Sequence, residues 1–214
     1  MWTSSGTAFH GPLESPIVAP VTALVRLLDE LSDVIDRVSD QVFARKPAGK
    51  PSGSIGAHVR HCLDHVSALL EGARTGRMSY DERVRGTEAE TDRLAALTRI
   101  RALTQTVLDV DPRLIPRCVR LRVRLDARGT TTEVQSTVGR ELAFVISHTI
   151  HHNATIAILL SEIGTDLPNR FGVAPSTPSP ASADPRAAPA PTRTSTPPPE
   201  RSGLTMSGAA SCAP

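Results

Sequence analysis

Apolar residues recur every three or four positions over most of the chain, a spacing that predicts amphipathic helices. The first such stretch starts near Ser15 and its neighbouring prolines and continues until the segment KPAGKPSG. Its apolar positions are Val21, Leu24, Leu27, Leu28, Leu31, Val34, Ile35, Val38 and Val42. This pattern predicts one long helix with a single apolar face.

Three further helices follow from the same periodicity. The second begins at Ser52 or Ser54 and carries SIGAHVRHCLDHVSALLEGA. The third is predicted over 87–110, where Thr87 and Glu90 have the spacing of a capping box. The fourth runs from about Thr137 to Gly164, since glycine commonly ends helices. The polar segment between the second and third helices is too long for a tight turn and suits a crossover.

One stretch has a period of two instead. CVRLRVRL, from Cys118 to Leu125, alternates apolar and basic residues, and the turn signal DARGT separates it from TTEVQS. This pattern predicts a short β-hairpin between the third and fourth helices. Arg120, Arg122 and Arg124 then share one strand face. That face is either simply solvated or an anion-facing patch beside a site.

Together these elements predict an all-α protein, a four-helix bundle with a long crossover between helices 2 and 3. The expected organisation is a flexible N-terminal segment at 1–14, the bundle at 15–173 and a disordered tail at 174–214. The tail is rich in Pro, Ala, Ser and Thr and has almost no large apolar side chains, so burial cannot offset its ordering entropy.

Composition narrows the classes of partner. The formal net charge is only +2 and aromatic residues make up 3% of the 214 residues, so we expect no nucleic-acid partner. Three cysteines without a CxxC pair favour a reducing compartment. No signal peptide is visible, and no apolar stretch approaches the roughly 20 residues of a membrane span. We therefore expect a cytoplasmic protein without a membrane partner.

Six of the seven histidines, all except His10, form two clusters at helical spacing. The second helix carries one stripe, and the fourth helix carries a pair four residues apart with one histidine at the edge of its face. These residues are His58, His61 and His65, and then His148, His152 and His151. Two imidazoles at i and i+4 can bind one metal ion, and the second helix offers three candidates for a third ligand. Three protein ligands leave an open position of the catalytic type. The alternative is a set of hydrogen-bonded packing residues.

The pairing of SIGAHVRHCLDH with RELAFVISHTIHHNA resembles the DinB-like (YfiT-like) metalloprotein superfamily, over about residues 16–173. The closing IGTDLPNRFGVAPST is similar to a bacterial DinB-family subgroup. These proteins are four-helix bundles in which three histidines bind a divalent metal. By position, the resemblance implies the ligands His61, His148 and His152, with His58, His65 and His151 as alternates. Three imidazoles suit Zn, Ni, Fe or Mn.

The family includes mycothiol-dependent isomerases, bacillithiol S-transferases and a domain of ergothioneine sulfoxide synthase. The resemblance thus implies a metal-dependent thiol S-transferase or hydrolase that acts on a low-molecular-weight thiol or another small molecule. The alternative is a non-catalytic, stress-associated bundle that binds a metal or ligand, and either could be a homodimer. Glu141, on the face of His148, is expected to orient a ligand imidazole or act as a general base. After His152 the chain reads Asn153-Ala154-Thr155, where the common family pattern is HRGQ-like.

Overall fold

A computed structural model describes residues 18–47, 53–82 and 86–178. The predicted N-terminal segment 1–14 and the predicted tail beyond residue 178 lie outside the described residues. Two 3₁₀ turns, Glu88–Glu90 and Pro112–Leu114, join longer elements. In chain order these elements are α1 (Ala19–Asp36), α2 (Asp40–Ala44), α3 (Ile55–Thr75), β1 (Arg77–Ser79), α4 (Arg93–Leu108), β2 (Cys118–Arg124), β3 (Thr131–Thr137) and α5 (Val138–Ser161).

The protein is mostly helical, as predicted. Helix α1 packs against α4 and α5, and α3 packs against the same two helices. The apolar faces of these helices meet in a shared core, in which Leu24, Leu28, Leu63, Leu97 and Ile156 are almost completely buried. By length and composition alone, α5 could cross a membrane. A core helix passes the same test, and α5 contacts both α1 and α3.

The helix boundaries follow the available caps. The prediction of one long first helix is wrong, because α1 ends at Asp36 and the hydroxyl of Ser39 accepts a hydrogen bond from the Val42 N–H to start α2. The predicted capping box is also wrong. Thr87 makes no side-chain cap, and Asp92 instead caps α4 by accepting from the Ala95 N–H.

The sheet is larger than the predicted hairpin. Strands β2 and β3 pair antiparallel and confirm the hairpin, while β1 adds a parallel neighbour on the other side of β2. The apolar side of β2 is buried through Val119 and Leu121, and Met78 of β1 lies opposite Leu121 and is also buried. The polar segment after α3 is therefore partly a strand.

Candidate metal centre

Two capped helices carry the histidines. Helix α3 starts at Ser54, whose hydroxyl accepts from the Ala57 N–H, and α5 starts at Thr137, whose hydroxyl accepts from the Arg140 N–H. The two helices pack against each other. Because both histidine stripes lie on the facing sides, their rings meet between the helices.

Three of the rings come close enough to hold a metal ion. The nitrogens of His61, His65 and His148 all lie within 4.8 Å of one another. His61 Nε2 and His148 Nε2 are 3.0 Å apart, and the ring of His65 stacks on that of His148 with a centroid distance of 4.1 Å. His65 is 4% exposed, and its Nδ1 lies 3.0 Å from the carbonyl oxygen of His61, which fixes the ring.

A second pair of rings adjoins this cluster. His58 Nδ1 lies 3.0 Å from His152 Nδ1, and the His152 ring lies 4.7 Å from His61 and 4.6 Å from His148 between centroids. Burial, followed by repulsion from the protonated forms of His148 and His58, lowers the pKa of His152 to about 3. Burial and then the charge of His151 lower the pKa of His58 as well. Both imidazoles are therefore neutral at pH 7.

The structure brings some of the metal ligands implied by the resemblance closer together than others. His61 and His148 come together, and His65, an alternate, is the third member of the closest group. His152 contacts both His61 and His148 but has its closest nitrogen contact with His58. His151 is exposed and touches only the edge of the His152 ring within the described residues. Helical spacing could not show which histidine of α3 contacts which histidine of α5, because these contacts depend on how the two helices are aligned.

Tyr80 connects the histidines to Glu141. Its ring stacks on His65 at 4.7 Å, and its hydroxyl donates a 2.8 Å hydrogen bond to Glu141, which is completely buried. The other oxygen of Glu141 accepts from Ser136 at 2.6 Å and from Arg140 at 2.9 Å. Burial and the charge of Glu141 raise the pKa of Tyr80, so it remains a protonated donor. Glu141 thus reaches the histidines through Tyr80, which follows the unpredicted strand β1.

Cys62 lies beside His61 in sequence but does not offer a metal ligand. Its side chain is fully buried, and this burial raises the pKa of its thiol to about 12. Metal binding by cysteine requires the thiolate. We therefore expect Cys62 to act as a small apolar core residue.

The segment after His152 packs tightly against a turn. Gly172 has a φ of +73°, and a Cβ at this position would lie 2.5 Å from the backbone nitrogen of Ala154. A side chain at this position would collide with that backbone, and the positive φ favours glycine as well. Asn153 is completely buried beside this contact. The backbone of Asn153 and Ala154 therefore lies against the turn at Gly172.

The family follows from the sequence match. A family model described as the DinB superfamily matches residues 23–156, which is more than half of the chain. The chain belongs to the DinB superfamily. This DinB-superfamily chain is also similar to the crystal structure of a DinB-like protein from Bacillus subtilis, with a TM-score of 0.54 and 19% identity over 72% of this chain and 97% of that one. At this identity the likeness concerns the fold.

A second relative matches only part of the DinB-superfamily chain. Over 101 residues, this chain is 37% identical to FK506-binding protein 5 of Rhizopus delemar. These residues are 47% of this chain and 26% of that protein. The chain thus spans about a quarter of the length of that relative, which is a longer protein.

Proposed function

We propose that the protein binds one divalent transition-metal ion between α3 and α5 and uses it in an S-transfer reaction of a small thiol. The convergence of His61, His65 and His148 carries this proposal. The membership in the DinB superfamily supports it, because the resemblance seen in the sequence implies a three-histidine metal site in a four-helix bundle. His152 lies next to this group and is the nearest further donor on α5.

The donor set fits such an ion. Two imidazole nitrogens that each lie about 2.0–2.1 Å from a tetrahedral zinc ion are about 3.3 Å apart. The observed 3.0 Å between His61 Nε2 and His148 Nε2 is close to this separation. The group contains only imidazoles. Imidazole donors suit Zn, Ni or Fe, whereas Mg and Ca prefer oxygen donors.

The bound ion would supply Lewis acidity, which lowers the pKa of a coordinated thiol or water and so generates a nucleophile. In the transfer, the thiol sulfur bonds to the electrophilic carbon of the second substrate. The leaving group departs with the electron pair of the broken bond, and the thiol proton passes to solvent. Tyr80 holds the His65 ring by stacking on it, and Glu141 holds Tyr80. Because both oxygens of Glu141 already accept hydrogen bonds, a positioning role suits it better than that of a base.

Metal analysis tests the binding step. The purified wild-type protein should contain about one equivalent of a transition metal, and His61→Ala and His148→Ala should each lose most of it. His151→Ala is the matched control, since this exposed histidine lies on the same helix outside the close group. The same content in all four proteins, or a metal-free wild type that takes up no added Zn, would contradict the proposal.

A conjugation assay tests the reaction. The metal-loaded and metal-free proteins are each incubated with a panel of small thiols and a chromogenic haloarene, and thioether formation is followed by absorbance. We expect formation with at least one thiol to depend on the metal and to fall to the uncatalysed rate in His148→Ala. Metal binding without any metal-dependent thioether would overturn the S-transfer proposal and favour a non-catalytic metal-binding role.

A further inference from the structure

A second feature lies directly beside the histidines. A cavity of about 740 Å³ opens between α3, α4 and the three-stranded sheet. Asp64, Ser67 and Glu71 of α3 contribute to its wall, and Tyr80 lines it as well. Since Tyr80 stacks on His65, one aromatic ring separates the cavity from the histidine cluster. The volume is in the range of pockets that bind small molecules.

Two arginines in this cavity are adjacent on neighbouring strands. Arg77 of β1 lies directly opposite Arg120 of β2 in the parallel register, and both residues line the cavity. Like charges that face each other across strands destabilise a sheet. Arg77 has no ion pair within the described residues, and Arg120 comes only to 4.0 Å from Glu133. Their charges are therefore poorly compensated by the protein itself.

The other cavity arginines are already paired. Arg99 Nη2 lies 2.9 Å from the carboxylate of Asp64, and Arg122 Nη1 lies 2.9 Å from that of Glu82. This difference identifies Arg77 and Arg120 as the pair available to an incoming anion. Four carboxylates also line the cavity, so a doubly charged anion meets more repulsion than a singly charged one. They belong to Asp64, Glu71, Glu82 and Glu133.

We propose that this cavity binds the carboxylate of a small organic molecule between Arg77 and Arg120, while the rest of the molecule extends along β1 towards Tyr80. Guanidinium groups match the planar geometry of a carboxylate. Tyr80 directly follows β1 and lies three residues after Arg77, a separation of about 10 Å in an extended chain. A carboxylate ligand that extends along this path brings its far end towards Tyr80, one ring away from His65. This second proposal rests on the proposed function, because it identifies the bound molecule as a substrate of the metal site.

Ligand binding to the metal-free full-length protein tests the anion site independently of the metal. The probe is hexanoate, the neutral control is hexanamide, and binding is measured by NMR titration. We expect hexanoate to bind about tenfold more tightly than hexanamide. This advantage should disappear in Arg77→Gln and Arg120→Gln. It should persist in Arg124→Gln, which lies on the same face of β2 but outside the cavity.

No advantage of hexanoate in the wild type, or an equal loss in Arg124→Gln, would overturn the arginine site. Tighter binding of inorganic phosphate than of hexanoate would overturn the carboxylate assignment. Either failure with normal metal content leaves the metal proposal standing. Conversely, if the protein takes up no metal, the hexanoate titration still tests whether Arg77 and Arg120 bind a carboxylate.

A paramagnetic ion tests the direction of the ligand. In protein loaded with Co²⁺, the terminal methyl signal of bound hexanoate should broaden more than its α-methylene signal, because the methyl end lies nearer the histidines. Stronger broadening of the α-methylene would overturn the proposed orientation. His148→Ala treated with Co²⁺ is the control and should show neither effect beyond that of free Co²⁺.

Discussion

At the scale of single residues, Tyr80 has a more specific role than its position in an irregular polar segment would indicate. It contacts a histidine with its ring, a buried carboxylate with its hydroxyl and the arginine-lined cavity with its exposed side. Phe144 packs against the same ring at 5.1 Å. Tyr80 therefore couples the position of His65 to the hydrogen bonds of Glu141.

Tyr80→Phe removes the hydroxyl while keeping the ring that stacks on His65. Glu141 then loses the partner of one oxygen in a completely buried position. We expect the free energy of unfolding to fall by about 1.5–3 kcal/mol, the range for hydrogen bonds to charged groups. Urea unfolding of Tyr80→Phe, Glu141→Gln and the double variant gives the coupling between the two residues. Additive effects would show that this hydrogen bond does not stabilise the protein.

The residues of the site were only partly predictable. Spacing along α3 and α5 placed the six histidines on their helix faces, and the fourth-helix pair was a reasonable ligand candidate. Helical spacing could not show that His65 stacks on His148 or that His58 contacts His152. These contacts depend on the alignment of two helices that are far apart in sequence. The sequence could not fix the contacts of Tyr80, since neither its neighbours nor its spacing determine where the crossover places its ring.

At the scale of elements, local chemistry explains both the successes and the errors. The hairpin and the two histidine helices have strong periodicity and clear ends, such as Ser54 at the start of α3. Strand β1 has only three residues, too few to show a period, and exists because β2 offers it a partner. The break after α1 was hidden because the apolar spacing continues through it, while the cap at Ser39 is a single residue.

At the scale of the whole molecule, the packing of α3 against α5 places ionisable rings in a partly dry environment. His58 and His152 are held neutral, although an unfolded chain would protonate both near a pKa of about 6.5. Neutral imidazoles are the form that binds metal ions, so the packing holds these two rings, which adjoin the proposed ligands, in a form that could bind a metal ion. The folded protein is therefore sensitive to acid. Protonation of these partly buried imidazoles is less favourable in the folded protein than in the unfolded chain, so it lowers the free energy of unfolding.

The metal-free protein should therefore lose stability as the pH falls from about 6.5 towards 3. Between these values the unfolded chain holds a proton on His152 that the folded protein does not, so the free energy of unfolding rises with pH and falls on acidification. Urea unfolding across this range measures the slope. Carboxylates also make the stability depend on pH in this range. The variant His152→Gln keeps a polar side chain but cannot titrate, so it separates the contribution of His152 from that of the carboxylates. The wild type should lose more stability than this variant over the same range. Parallel curves would mean that His152 titrates alike in both states and is not held neutral by the packing of α3 and α5.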